Sequence, residues 1–72
     1  MKILFTGSNG LLGQKIAVAT ANYPQHSFLA TSRGANRTKA MGTATYASMD
    51  ITNAEDVSNV VGDFEPDVII HG

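Results

Sequence analysis

Three glycines spaced three residues apart, Gly7, Gly10 and Gly13, follow directly on the apolar stretch Ile3–Phe5. The apolar stretch is typical of a buried strand, and the sequence that starts at the second glycine is typical of an amphipathic helix. Glycine adopts the positive φ of a tight turn and, without a Cβ, permits close approach of other backbone or of a ligand. The run therefore predicts a strand that turns sharply into a helix.

Each glycine of this loop has a separate expected role. Gly7 permits the turn out of the strand, Gly10 leaves room for phosphate oxygens against the backbone, and Gly13 lets the helix pack closely on the sheet. The free N–H groups and the positive dipole end of a first helical turn attract anions. We therefore expect the loop to bind the pyrophosphate of a dinucleotide, with a plain glycine-rich connection as the alternative. The candidate contacts are Gly7, Asn9, Gly10, Leu11, Leu12 and Gly13.

The composition argues against several classes of protein. The 72-residue chain is 43% hydrophobic and 15% charged with a formal net charge of −1, so no basic excess indicates a nucleic-acid or anionic-membrane partner. The absence of cysteine excludes disulfides and a cysteine-based metal site, and we expect no metal. No apolar run approaches the ~20 residues of a membrane span. We expect a soluble, cytoplasmic protein.

Apolar runs place the strands. Continuous runs at Ile3–Phe5, Phe28–Ala30 and Val68–Ile70 predict strands that are covered on both faces. A weaker run at Ala44–Ala47 predicts another strand at the edge of the sheet, and the small and polar segment Gly34–Gly42 predicts a loop.

Two helices are predicted between these strands. The first runs from about residue 10 to residue 22, and Pro24 ends it because proline disfavours helical geometry in the residue before it. The second begins at Thr52, whose hydroxyl is expected to form a capping box with Glu55. The expected buried stripe of the first helix is Leu12, Ile16, Ala19 and Tyr23. The expected apolar face of the second is Val57, Val60, Val61 and Phe64.

This order of elements predicts an α/β fold, a Rossmann-type doubly wound parallel sheet with strand order 3-2-1-4. The ligand crevice of such a sheet lies beyond the carboxyl ends of the first and fourth strands. The last five residues, 68–72, contain the apolar run of the predicted fourth strand. We therefore expect residues 1–72 to be the N-terminal part of a dinucleotide-binding domain in a longer protein, with the catalytic and substrate-binding regions elsewhere.

The end of the second strand bears on which dinucleotide binds. An acidic residue about 20 residues past the glycine loop normally accepts hydrogen bonds from the ribose of NAD. This chain has Ser32 and Arg33 there, followed by Arg37. Because guanidinium groups form charge-assisted bonds to phosphate, we expect these three residues to prefer the 2′-phosphate of NADP, with NAD possible. The alternative is that both arginines are solvated loop residues.

Three further residues are expected to border the cofactor. Asp50 and Ile51 follow the third strand, where the carboxylate can accept from the adenine amino group and Ile51 can flank the ring. The alternative for Asp50 is a carboxylate favoured by the dipole at a helix start. His71 ends the fourth strand and is assigned to the cofactor border, without a catalytic role.

These motifs carry a family resemblance that spans essentially the whole chain. The pattern Thr6-Gly7-x-x-Gly10-x-x-Gly13 resembles the extended short-chain dehydrogenase/reductase family, also described as the NAD-dependent epimerase/dehydratase superfamily. Asp50-Ile51-Thr52 is similar to its adenine-side motif, and Val68–His71 is similar to its fourth strand. The segments Asn9–Gln14 and Thr31–Gly34 are most similar to sugar-nucleotide reductases of the dTDP-4-dehydrorhamnose reductase type.

The resemblance implies an oxidoreductase that reduces the keto group of a nucleotide-sugar substrate with hydride from NADPH. In this family a Tyr-x-x-x-Lys pair, with a serine or threonine, polarises the carbonyl and supplies the proton. Neither Tyr23 nor Tyr46 has a lysine four positions later. No catalytic residue is therefore assigned, and the 72 residues alone are expected to be inactive.

Two other functions remain open for the same fold. One is an NAD-dependent sugar-nucleotide epimerase or dehydratase, against which the pair Ser32-Arg33 argues mildly. The other is a non-catalytic, nucleotide-sensing regulatory protein. The oligomeric state is not readable from these residues.

Overall fold

A computed structural model describes residues 1–71 as one four-stranded sheet with a helix on each face. Gly72, the last residue of the predicted N-terminal domain part, lies outside the described residues. The elements are β1 (Lys2–Phe5), α1 (Leu11–Ala19) with a following 3₁₀ turn (Thr20–Asn22), β2 (Ser27–Ser32), β3 (Thr45–Ser48), α2 (Ala54–Phe64) and β4 (Val68–Ile70). Gly34–Gly42 forms neither helix nor strand, as its composition predicts.

The sheet is parallel throughout, with the predicted order β3-β2-β1-β4. Leu4 pairs with Leu29 of β2 on one side and with Ile69 of β4 on the other. The point at which the order reverses therefore lies between β1 and β4. The predicted Rossmann-type topology is confirmed.

The alternation of side chains along β1 divides the core between the two faces of the sheet. Phe5 packs with Phe28, Ala30 and Ala17 of α1 in one buried cluster. Leu4 packs with Leu29 and Met49 in the other, against the half-buried apolar face of α2. That face consists of Val57, Val60, Val61 and Phe64, as predicted from their spacing.

The predicted buried stripe of α1 is wrong at two positions. Leu12 and Tyr23 are 59% and 50% exposed, whereas Gly13 and Ala17 are buried. The helix approaches the sheet so closely that only small side chains fit between them, and it presents its small face rather than its largest apolar residues. The α-helix also ends at Ala19, and the 3₁₀ turn completes the predicted segment to residue 22.

The predicted capping box at Thr52 is also wrong. Asn53 is the N-cap of α2, and its side-chain oxygen accepts from the Asp56 amide at 3.1 Å. The Asp56 carboxylate in turn accepts from the Asp50 amide at 2.9 Å. The Thr52 hydroxyl donates instead to the Asp50 carboxylate, 2.6 Å away, because that acceptor lies in the same tight turn.

The apolar strand β4 differs from the expectation that both of its faces are covered. It lies at an edge of the described sheet, and its three residues are 38–53% exposed. β1 pairs with one side of it, while α1 and α2 cover β1, β2 and β3. Within residues 1–71, neither helix has the length and apolar character that a membrane crossing requires.

The C-terminus of α2 contains a strained residue. Glu65 has φ 53° and ψ 60°, a left-handed conformation that favours glycine. Its amide still donates to the Val61 carbonyl at 2.8 Å, and Lys2 Nζ donates to the neighbouring Phe64 carbonyl at 3.0 Å. The end of α2 therefore keeps its hydrogen bonds, while the backbone conformation of Glu65 lowers the stability of the fold.

We expect Glu65→Gly to raise the free energy of unfolding by about 1 kcal/mol, because glycine adopts this conformation without the Cβ clash. Glu65→Ala is the matched control, since it removes the same carboxylate and keeps the Cβ. Urea denaturation followed by circular dichroism measures both. A glycine variant no more stable than the alanine variant would refute this assignment of strain.

Candidate functional site

The glycine loop leaves β1 through a tight turn. Gly7 has φ 69°, and its carbonyl oxygen accepts from the Gly10 amide at 3.0 Å. The Ser8 amide donates to the Thr31 carbonyl at 3.0 Å, which fixes the loop to the carboxyl end of β2. The turn that was predicted at Gly7 is therefore present, and it is held by backbone bonds on both sides.

Gly13 brings α1 against this loop. A Cβ at Gly13 would overlap the carbonyl oxygen of Gly7 and lie 2.5 Å from the Cα of Ser8. The close contact is thus with the backbone of the loop, whereas the sequence predicted a contact with the sheet. Any larger residue at this position displaces the helix from the loop.

The first turn of α1 presents unpaired amides. The first bond of the helical ladder runs from the Gln14 amide to the Gly10 carbonyl at 3.0 Å. Within residues 1–71, the amides of Leu11, Leu12 and Gly13 donate no hydrogen bond to a group outside the helix. The turn contains no acidic side chain that would compete for them. These N–H groups and the helix dipole together form a site with the electrostatics of an anion receptor.

The hydroxyl of Ser8, in the same loop, is fully buried and has no hydrogen-bond partner among the described residues. Buried hydroxyls in folded proteins normally have a partner. The glycine loop therefore contains a buried hydroxyl whose hydrogen bond is not supplied by the described residues.

An open cleft of about 250 Å³ lies at the carboxyl edge of the sheet, where the strand order reverses. Six residues that were predicted to contact the cofactor line it: Gly7, Ser32, Arg33, Asp50, Ile51 and His71. Four lining residues were not predicted: Thr6, Thr31, Met49 and Thr52. Each of these four residues is next to a predicted residue at the end of a strand, and this position could have identified it from the sequence. The predicted contacts from Asn9 to Gly13 do not line this cleft.

Arg33 and Asp50 form an ion pair at the border of the cleft. Arg33 Nε lies 3.8 Å from Asp50 Oδ2, and the arginine side chain is 84% exposed. Asp50 accepts from both the hydroxyl and the amide of Thr52, at 2.6 and 2.9 Å. These two bonds, with a smaller effect from the Arg33 guanidinium, hold the pKa of the Asp50 carboxyl below its ordinary value. Asp50 is therefore a fixed negative charge at neutral pH, and Arg33 is an exposed positive charge beside it.

The hydroxyl of Ser32 is engaged within the protein. It lies 2.7 Å from the hydroxyl of Tyr46, which also donates to the Gly34 carbonyl at 2.7 Å. The ring of Tyr46 packs against the Phe5 cluster. Its hydroxyl additionally fixes the chain at the exit of β2.

The predicted residues Arg33 and Arg37 do not lie together. Arg37 lines a separate depression on the outer side of α1, with Gln14, Val18, Thr38, Lys39 and Ala40. Only Arg33 borders the cleft at the carboxyl edge of the sheet. Arg37 is therefore not among the residues that line the cleft.

His71 follows β4 and meets β1. Its Nδ1 lies 2.7 Å from the hydroxyl of the buried Thr6, so the ring is held at the point where the strand order reverses. Among residues 1–71, no cluster of three or more His, Cys, Asp or Glu side chains is placed to hold a metal ion.

Comparisons with known proteins agree with this architecture. A family model described as "RmlD substrate binding domain" matches residues 1–72. The structure of an L-threonine dehydrogenase from Clostridium difficile superposes with a TM-score of 0.80 and 24% identity, over 97% of this chain. That likeness shows the fold. The chain spans 23% of the length of that dehydrogenase.

No curated protein sequence matches the chain. The family match and the shared fold together confirm the resemblance to the extended short-chain dehydrogenase/reductase family.

We expect Gly13→Ala to lower the free energy of unfolding by about 1–3 kcal/mol, because its Cβ forces the helix off the loop. Gly62→Ala in α2 is the matched control: no atom lies within 4 Å of its added Cβ, and alanine favours the helix by about 0.5 kcal/mol. Urea denaturation of both variants tests the contact. Equal stability of Gly13→Ala and the wild-type chain would contradict it.

Proposed function

We propose that this chain, which belongs to the RmlD substrate-binding domain family, binds NADP(H) for an oxidoreductase that reduces a keto group of a nucleotide sugar. One observation carries the proposal. The unpaired amides of Leu11, Leu12 and Gly13 adjoin the edge of the sheet where the strand order reverses. In doubly wound folds this is the place where a pyrophosphate binds.

The chemistry of the donors fits a dinucleotide. The first turn of α1 offers backbone N–H groups without a competing carboxylate, and a diphosphate supplies the acceptors that these groups lack. The cleft beside it has the polar and apolar border that an adenosine needs, with Asp50 as an acceptor and Ile51 as an exposed apolar surface. A bound nicotinamide dinucleotide supplies the hydride for the reduction of a carbonyl.

The preference for NADP rests on the end of β2. No carboxylate follows that strand, and the exposed Arg33 guanidinium lies where the ribose of the adenosine half would be. A 2′-phosphate would form a charge-assisted bond with this guanidinium and would compete with Asp50 for it. An unphosphorylated ribose gains no such bond.

The substrate proposal rests on the family and on the resemblance to sugar-nucleotide reductases. The 72 residues contain no Tyr-x-x-x-Lys pair to polarise a carbonyl. We assign to this chain the binding and orientation of the cofactor, and we place proton transfer and substrate recognition outside these residues.

The same cofactor site also suits a second candidate, a nucleotide-sensing protein that binds the dinucleotide without catalysis. The two candidates share the cofactor site and differ in turnover. A Tyr-x-x-x-Lys pair in the remainder of the encoded protein favours the reductase, and its absence there favours the sensor.

We expect Arg33→Ala to lower the affinity for NADPH about tenfold and to leave the affinity for NADH nearly unchanged, because only the 2′-phosphate loses a partner. Lys15→Ala is the control for charge, since Lys15 is an exposed cation of α1 that does not line the cleft. Isothermal titration of the wild-type chain and the two variants with both cofactors measures the six affinities.

Equal affinities of the wild-type chain for NADPH and NADH, unchanged in Arg33→Ala, would overturn the preference for NADP. An absence of binding to either cofactor would overturn the proposed function itself.

A further inference from the structure

Two side chains, Asn9 and Thr38, fix the segment that joins β2 to β3 to the glycine loop. Residues 34–42 form no helix or strand, yet Asn9 bonds to two of their backbone groups. We propose that Asn9 is a positioning residue that sets the segment after Arg33 relative to the glycine loop, and thereby determines recognition of the 2′-phosphate. This inference rests on the proposed function.

Asn9 uses both ends of its amide. Its Nδ2 donates to the Ala35 carbonyl at 3.0 Å, and its Oδ1 accepts from the Arg37 amide at 2.7 Å. A carboxamide combines a donor and an acceptor in one rigid group, which few side chains of this length can do. The two bonds join positions 26 and 28 residues away in sequence.

The backbone of Asn9 belongs to the glycine loop. Its carbonyl accepts from Gln14 Nε2 at 2.9 Å, which ties it to the first turn of α1. The residue is therefore fixed on the side where the pyrophosphate would bind and reaches from there to the segment that follows Arg33.

Other bonds hold the ends of this segment. Gly34 is fixed by Tyr46 and Ser48, and the hydroxyl of the buried Thr38 donates to the Ser8 carbonyl at 2.7 Å. Between these ends, among the described residues, the backbone of residues 35–37 bonds only to Asn9. Without Asn9, the hydrogen bond that this stretch keeps among the described residues is the local one in which the Thr38 amide donates to Asn36 Oδ1 at 2.9 Å.

A loop that is ordered before binding loses less conformational entropy when a ligand arrives. Arg33 is exposed and is joined to this segment through Gly34, so the freedom of residues 35–37 contributes to how often its guanidinium is available to a 2′-phosphate. The Asn9 tether links that availability to the shape of the glycine loop. It therefore acts on the affinity for NADPH more than on the affinity for NADH, and so changes their ratio.

The test is the ratio of affinities for NADPH and NADH in Asn9→Ala. We expect the ratio to fall about fivefold, because effects on the shared pyrophosphate cancel and the effect on the 2′-phosphate remains. Asn9→Ser is the second variant: it stays polar, but its single hydroxyl cannot bond to both backbone groups. Circular dichroism verifies that both variants fold.

Gln14→Ala is the matched control. It removes a hydrogen bond from the same glycine loop and leaves the tether to residues 35–37 intact, so we expect the ratio to stay at the wild-type value. Hydrogen exchange of the Arg37 amide provides a readout without cofactor, and we expect faster exchange in Asn9→Ala than in Gln14→Ala.

The outcomes separate the two proposals. A wild-type chain that prefers NADPH, with the same ratio in Asn9→Ala, overturns the role of Asn9 and leaves the proposed function standing. A wild-type chain without preference overturns the assignment to NADP, and this inference fails with it. A ratio that falls equally in Gln14→Ala also overturns the inference, because any disturbance of the glycine loop would then suffice.

Discussion

The close contact between Gly13 and the backbone of Gly7 and Ser8 is the constraint on which the site depends. It leaves no room for a Cβ, and it therefore fixes both the distance and the rotation of α1 above β1. With that rotation the helix buries Ala17 and exposes Leu12. An anion-binding helix end is thus a consequence of backbone packing rather than of any charged side chain.

The second half of the site depends on tight turns at the ends of β2 and β3. The Thr52 bonds hold Asp50 in its ionised form, and Arg33 is placed opposite it at the carboxyl edge of the sheet. This exposed cation and its neighbouring fixed anion give the end of β2 a charged surface, whereas the glycine loop offers backbone groups. The two parts are joined through Asn9, whose side chain spans them.

The sequence was sufficient for the strand order, because continuous apolar runs and right-handed crossovers leave few alternatives. It was insufficient where two neighbouring residues compete for one role. Thr52 and Asn53 are both good caps, and only the position of Asp50 decides between them. Helical periodicity ranked Leu12 above Gly13 for burial because it counts apolar size, whereas the close approach of the backbone selects the small residue. The separation of Arg33 from Arg37 and the partners of Asn9 depend on contacts across more than 20 residues, which local patterns do not encode.

The most direct test is a ¹⁵N NMR titration of the chain with NADPH. We predict saturable shifts of the amide signals of Leu11, Leu12 and Gly13, with smaller changes at Arg33 and none at Ser58, on an exposed part of α2. Those first-turn amides lack acceptors in the protein and gain them from the diphosphate. Signals of the first turn that stay unchanged at saturating NADPH would contradict the account.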